Sequence, residues 1–186
     1  MIWRGAATTQ DRIFAALTYL IPILEILPFG FFLFLLLPPL GILFTPIFRL
    51  AEIYYFPIGN WQLIPMVVFF ALYLGVISNY KLRYFLRLHA MQALLMAVFG
   101  WLLGAFIRLI GLSSALIPNF FSNQTGIGAV LLDVWGKGFL TLGLGIIFSS
   151  IFIAIVGASI YAIVLSLQGK HAEVPLISEA AKAQVH

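Results

Sequence analysis

The sequence predicts an all-α, polytopic membrane protein with four transmembrane helices and a short interfacial or re-entrant segment between helices one and two. Three observations predict it. The chain is 63% hydrophobic and 9% charged, whereas a soluble domain carries about 25% charged residues, and its mean hydropathy is +1.11. Apolar runs of about 20 residues, enough to cross about 30 Å of hydrocarbon, recur along its length. The basic residues are dispersed along the segments flanking those runs, where lipid headgroups are their natural partners.

The first hydrophobic region, Ile13 to Phe56, is too long for one span and is broken by Pro22, by Pro28-Phe-Gly30 and by Pro38-Pro39. Asp11 to Leu37 reads as one kinked transmembrane helix. Leu40 to Phe56, which holds Pro46, Arg49 and Glu52, reads as a segment lying at or dipping into the interface. Arg4 and Arg12 ahead of Ile13 to Leu24 imitate a secretory signal, but Glu25, Pro28 and more apolar sequence follow instead of a small-residue cleavage site. A retained first span is therefore expected, with no transit peptide before it, which suits a bacterial or organelle-encoded chain. Gln62 to Ser78, His89 to Leu112 and Phe139 to Leu167 supply the other three spans. Residues 1–167 form one membrane-embedded domain in this reading, and 168–186 a short polar tail, mixed in charge and poorly ordered.

Charge distribution decides between four spans and five. With four, Arg4, Arg12, Lys81, Arg83, Arg87, Lys170 and Lys182 share one side against Arg49, Arg108 and Lys137 on the other, seven basic residues to three. The positive-inside bias places both termini on the cytoplasmic side or its organellar equivalent. A fifth span at Leu40 to Phe56 dissolves the asymmetry. The connection from Ser113 to Lys137 carries Gly126, Gly128, Gly136 and Gly138, with Phe120, Phe121 and Trp135 suited to rest on the membrane surface. Its Asn123-Gln-Thr125 matches a glycosylation acceptor by chance.

Few polar residues interrupt the spans. Glu25 lies about twelve residues, roughly 18 Å, beyond the start of the first helix, near the bilayer centre, where a charge costs at least about 2.5 kcal/mol. It is either a neutral acid bonded to an adjacent helix or a wall residue of a hydrated path with Arg49 or Gln92 nearby. The kinks at Pro22 and Pro28 free backbone carbonyls that need partners in either case. On a wheel of the third span, Arg83, Arg87, Ala90 and Leu94 share one stripe, and Phe85, His89, Gln92, Met96 and Phe99 the opposite one. The arginines are thus expected to snorkel to headgroups, with His89 and Gln92 facing inward. That polar pair bonds a neighbouring helix, lines a polar cavity, or at His89 meets a metal or tetrapyrrole, though no companion ligand stands at usable spacing. Gly100 and Gly104 on the third span, and Ser150, Ala154, Ala158 and Ala162 on the fourth, offer small faces. They serve packing of the third span on the fourth, or docking to another subunit.

Much chemistry is excluded. With no cysteine there is no disulfide, thiolate metal site or catalytic thiol. There is no HExxH, GxSxG, paired carboxylates or phosphate loop, so no enzyme, cofactor or metal is expected. The net charge of +4 reflects lipid contact rather than nucleic acid.

Several segments carry a resemblance: Trp3-Arg-Gly5, Thr9-Gln-Asp-Arg-Ile-Phe14, Tyr19-Leu-Ile-Pro-Ile-Leu-Glu25, Phe69-Phe-Ala-Leu-Tyr73 and Tyr84-Phe-Leu-Arg-Leu-His-Ala-Met-Gln-Ala-Leu-Leu95. Over roughly residues 3 to 100 the chain resembles the inner-envelope translocon family named for the twenty-kilodalton subunit of the chloroplast import machinery, in its cyanobacterial or plastid-encoded branch. It departs from the family pattern at Ser78-Asn79, where Arg-Asn is usual, at His89, where Asn is usual, and near Ala97, often acidic. The resemblance implies four helices with termini on the stromal or cytoplasmic side. It also implies a role in protein translocation beside other membrane subunits, with Glu25, Arg87, His89 and Gln92 lining or bracing a polypeptide path. The competing reading is a small structural subunit of another membrane complex, such as a photosynthetic one, docking through its small-residue faces. A solute carrier is disfavoured by the lack of repeated halves.

Overall fold

The computed structural model describes residues 7–59, 62–109, 139–174 and 177–185, and every described element is helical. The Ser113 to Lys137 connection and the first six residues lie outside the described residues. The first hydrophobic region opens with a capping box. The Thr8 hydroxyl accepts from the Asp11 N–H at 3.3 Å, and the Asp11 carboxylate accepts from the Thr8 N–H at 2.9 Å, so two otherwise orphaned donors are satisfied. Helix α1 (Thr9–Thr18) then runs into α2 (Leu20–Ile26), a 3-10 turn (Leu27–Gly30) and α3 (Phe31–Leu36). The breaks follow the prolines. Pro22 has no N–H for the Thr18 carbonyl, and Tyr19 closes a tighter bond to Ala16 at 3.2 Å. Pro28 sits in the first turn of the 3-10 element. Together these pieces make one broken rod from Thr9 to Leu36, long and apolar enough to cross a membrane.

The segment expected at the interface is two short helices, α4 (Pro38–Leu43) and α5 (Thr45–Tyr54), each with a proline in its first turn. They fold back on the rod through an aromatic cluster. The Phe34 ring meets Phe44, Phe48 and Phe152 at centroid separations of 5.3, 5.2 and 5.3 Å. Next come α6 (Leu63–Phe70), which continues as a π-helical segment (Ala71–Ile77), then α7 (Tyr84–Leu109), α8 (Phe139–Leu167) and α9 (Ile177–Gln184).

Among the described residues, three helices are long and apolar enough to span a bilayer: Thr9–Leu36, Tyr84–Ile107 and Gly143–Leu167. The fourth expected span is shorter, Leu63–Ile77, which rises roughly 22 Å at about 1.5 Å per residue. The broken rod is the centre of the fold. Among the described residues, helices α7 and α8 both pack mainly on the rod and meet each other only marginally. Two glycines set the closeness of α8 to the rod. A Cβ at Gly30 would lie 2.8 Å from the Phe152 ring, and one at Gly145 would lie 2.7 Å from the Phe32 ring.

Two contacts bring three chain segments to one end. Asp11 pairs with Arg83 at 3.3 Å, joining the starts of α1 and α7. The Arg12 guanidinium packs on Gly169, whose φ of 74° closes α8, and a Cβ there would fall 2.8 Å from Arg12 Nε. A cation against a helix C-terminus is favoured by its unpaired carbonyls. The start of the first span, the loop before α7 and the end of α8 therefore share one end of the bundle. The tail, expected to be poorly ordered, instead folds onto that end. Helix α9 buries Ala181, and Val185 follows it against Leu88, Met91 and Leu94 of α7.

Candidate functional site

Tyr19, His89, Gln92 and Glu25 gather into two buried clusters between the rod and α7, while Ser149, Ser159 and Ser166 are buried along α8. The first centres on Tyr19, His89 and Gln92, all fully buried. The break before Pro22 presents Tyr19 at the junction of α1 and α2. The three-residue spacing of His89 and Gln92 puts both on the α7 face that looks at it. Gln92 Nε2 donates to the Ala172 carbonyl at 2.9 Å and to Ser178 Oγ at 3.0 Å, which uses both amide protons. Its Oε1 accepts from the Tyr19 hydroxyl at 2.7 Å. The Tyr19 oxygen is then left as an acceptor for His89 Nδ1, 2.9 Å away. A neutral imidazole carries one proton. With it on Nδ1, Nε2 faces the Lys170 carbonyl at 3.3 Å without a donor to offer, and this contact is the weak member of the set. Ser178 completes the cluster, its Oγ accepting from the Val174 N–H at 2.6 Å. The His171 ring lies parallel to His89 at 6.3 Å, and Phe85 is tilted against it at 4.5 Å.

The second cluster lies deeper and centres on Glu25. Tyr54 donates to its Oε1 at 2.6 Å, and Tyr55 to its Oε2 at 2.9 Å. Tyr55 also lies 3.2 Å from the Leu24 carbonyl, the oxygen that Pro28 leaves without its usual partner four residues on. Trp101 of α7 also stands beside the carboxyl. Gly100, one residue earlier, lets α7 approach, since a Cβ there would stand 3.5 Å from the Glu25 Cβ.

The structure brings His89 and Gln92 together and holds Glu25 apart from both Arg49 and Gln92. Arg49 pairs with Glu52 at 3.2 Å on an exposed face. Arg87 does not snorkel. It is buried, its Nε donates to the Ile77 carbonyl at 2.8 Å, and its guanidinium covers the Tyr80 ring at 4.6 Å. It thereby ties the end of the π segment to α7. Gly104 has open space where a Cβ would go. Along α8, Ser150 and Ala154 are exposed, Ala158 is half-buried and Ala162 is buried. Among the described residues no three metal-ligating side chains converge. Tyr19, Tyr54, Tyr55 and the tail carbonyls are the site members the sequence reading missed. A signal existed for the tyrosines, because buried phenols seek acceptors and buried acids seek donors.

Comparison with known proteins follows the same residues. The family described as chloroplast import apparatus Tic20-like matches residues 8–124. A Tic20 family protein from Synechocystis sp. (strain ATCC 27184 / PCC 6803 / Kazusa) is 32% identical over 186 residues, covering 100% of this chain and 99% of that protein. Protein TIC 20-II, chloroplastic, from Arabidopsis thaliana is 28% identical over 175 residues, covering 94% of this chain and 72% of its own length. The matched region contains the rod, α5 and α7, and hence the helical halves of both polar clusters. The chain belongs to the Tic20 family.

Proposed function

We propose that the protein is a subunit of a membrane protein translocon, forming or scaffolding a polypeptide-conducting path with other membrane subunits. The observation that carries this reading is the chain-long similarity to a Tic20 family protein, together with the protein-import role in the family's description. In this reading Glu25, His89 and Gln92 brace the inner wall between the rod and α7. Arg87 holds the π segment in place beside them.

The fourth crossing is Leu63–Ile77, and α4 with α5 is a re-entrant element. A shared end for the start of the rod, the loop before α7 and the end of α8 suits this, because the chain must return between Leu36 and Arg83. Residues 1–167 form the membrane body and 168–186 its appended tail. Both termini lie on the cytoplasmic or stromal side, in a cyanobacterial inner or thylakoid membrane or a plastid inner envelope. The half-buried Gly104, with open space beside it, and the exposed Ser150 and Ala154 leave room for another helix to approach, which fits a subunit rather than a solitary protein. The reading assigns the protein no enzymatic role, in keeping with the import-apparatus description of its family.

Purification in mild detergent with identification of stoichiometric partners tests the reading. Import or secretion components are expected. Photosystem subunits in their place would sink it and favour a structural role in a photosynthetic complex.

A further inference from the structure

We propose that residues 170–174 of the tail occupy a peptide-binding slot on α7 as a self-ligand, and that an extended polypeptide displaces them. The proposal rests on the translocon reading and names the place where that path would grip its cargo. Along the segment, Ala172 and Val174 are buried while His171 and Glu173 are exposed. This alternation is the period of extended chain. In such a chain the carbonyls of residues two apart point the same way, about 6.6 Å from each other. Those of Lys170 and Ala172 face His89 and Gln92, which stand about 4.5 Å apart along the α7 axis. Flexible side chains span the difference.

The grip is on main-chain atoms, which every polypeptide presents, with shallow sites for alternate side chains. That is how extended peptides are held when sequence matters little. The only sequence demand is for small apolar side chains where Ala172 and Val174 sit. Beyond the slot, Ser178 clips the segment by accepting from Val174 N–H, and α9 lies against Leu88 and Met91. The hold is light. One of its two carbonyl contacts has no proton to share, and the Lys182–Glu173 pair, 3.8 Å apart and exposed, adds little. A slot that passes cargo needs an occupant that leaves.

The test uses the full chain in lipid nanodiscs. Amide hydrogen exchange is followed while a short unstructured peptide of alanine, serine and glycine, carrying one benzophenone, is titrated in. Exchange at residues 170–185 should rise saturably by about tenfold, with α8 unchanged, and photocrosslinks should map to α7 around His89. Gln92→Ala in the full chain should raise tail exchange without peptide and cut crosslinking by about tenfold. The proposal is overturned if crosslinks form on α7 while the tail stays protected, or if only a peptide copying residues 170–185 displaces the tail. A chain that co-purifies with import components but never releases its tail loses the slot and keeps the function. One that releases its tail yet purifies with photosystem subunits keeps the slot and loses the function.

Discussion

The two polar clusters sit on the same pair of elements, the broken rod and α7, yet they are closed by different kinds of partner. Glu25 is closed by tyrosyl hydroxyls at the end of α5 and one residue beyond it, and Ala51 and Tyr54 of that helix belong to the same buried core as Phe34, Phe148 and Phe152. Tyr19, His89 and Gln92 are closed by main-chain carbonyls and one serine of a short polar tail. The first satisfies the rule that polar groups away from water need partners, and the second satisfies it everywhere but at His89 Nε2. The first closure cannot open without taking the aromatic core apart. The second can open by lifting a short segment, held besides by Ala172 and Val174 against Tyr19, Met96 and Ala162 and by the helix that follows it. A fixed brace and a removable cover are thus made from similar hydrogen bonds, and the apolar packing behind each decides which it is.

The largest effect expected from this contrast is at the fixed brace. Glu25→Leu leaves the buried Tyr54 hydroxyl without its acceptor, at about 1–3 kcal/mol, and the half-buried Tyr55 hydroxyl with the Leu24 carbonyl alone. Because α5 is part of the core, the loss should be global, about 2–5 kcal/mol in detergent-denaturant unfolding followed by tryptophan fluorescence. A loss below about 1 kcal/mol, within the range of one ordinary hydrogen bond, would show that α5 is held by its aromatic contacts alone.

Gln92→Leu should come next. It removes two donors to the tail and the acceptor of Tyr19, for about 1–3 kcal/mol, but the loss should be local. Hydrogen exchange should quicken at residues 170–185 while the unfolding midpoint of the bundle hardly moves. If the midpoint falls as far as for Glu25→Leu, the tail is structural core and the contrast between the clusters fails.

Much of this arrangement was legible in the sequence, and the rest was hidden for physical reasons. The rod from Asp11 to Leu37, the separate α4–α5 segment and the final span from Phe139 follow from hydropathy and proline placement. The inward aspect of His89 and Gln92 follows from helical period, and the need of kink-freed carbonyls for partners from Pro28. What hydropathy cannot supply is a partner's identity. Tyrosine counts as apolar surface until its hydroxyl is needed, so Tyr54 and Tyr55 pass as interface residues. Main-chain carbonyls have no sequence signature, so the tail reads as polar and loose. Arg87 was misplaced because a wheel describes one helix. Its stripe faces the loop and π segment that precede α7, and there a helix-end carbonyl and the Tyr80 ring replace the headgroup.

Tyr55→Phe probes the fixed brace more gently. It removes one donor shared between Glu25 Oε2 and the Leu24 carbonyl, and Tyr54 still holds the carboxyl. A loss of about 0.5–1.5 kcal/mol in the same unfolding assay is expected, with the tail's exchange unchanged. Coupling between Tyr55→Phe and Gln92→Leu should be close to zero, since the clusters share no partner. A coupling of about 1 kcal/mol or more, the mark of residues in one network, would mean that they act as a single polar wall.

The smallest effect is expected at His89→Asn, and its size is the finest discriminator. Proton counting makes His89 a donor to Tyr19 and a poor partner for Lys170, so the imidazole is the least committed member of the removable cover. Asparagine offers two amide protons, enough for both the Tyr19 oxygen and the Lys170 carbonyl wherever its shorter side chain reaches them. Tail exchange should therefore stay within about 0.5 kcal/mol of the wild type, below the usual worth of a hydrogen bond. Nitrogen NMR of histidine-labelled protein checks the premise directly, because the proton must be found on Nδ1 of His89. If it is found on Nε2 instead, the Lys170 carbonyl gains a true donor. His89→Asn should then loosen the tail nearly as much as Gln92→Leu, and the cover would be held by two equal clamps.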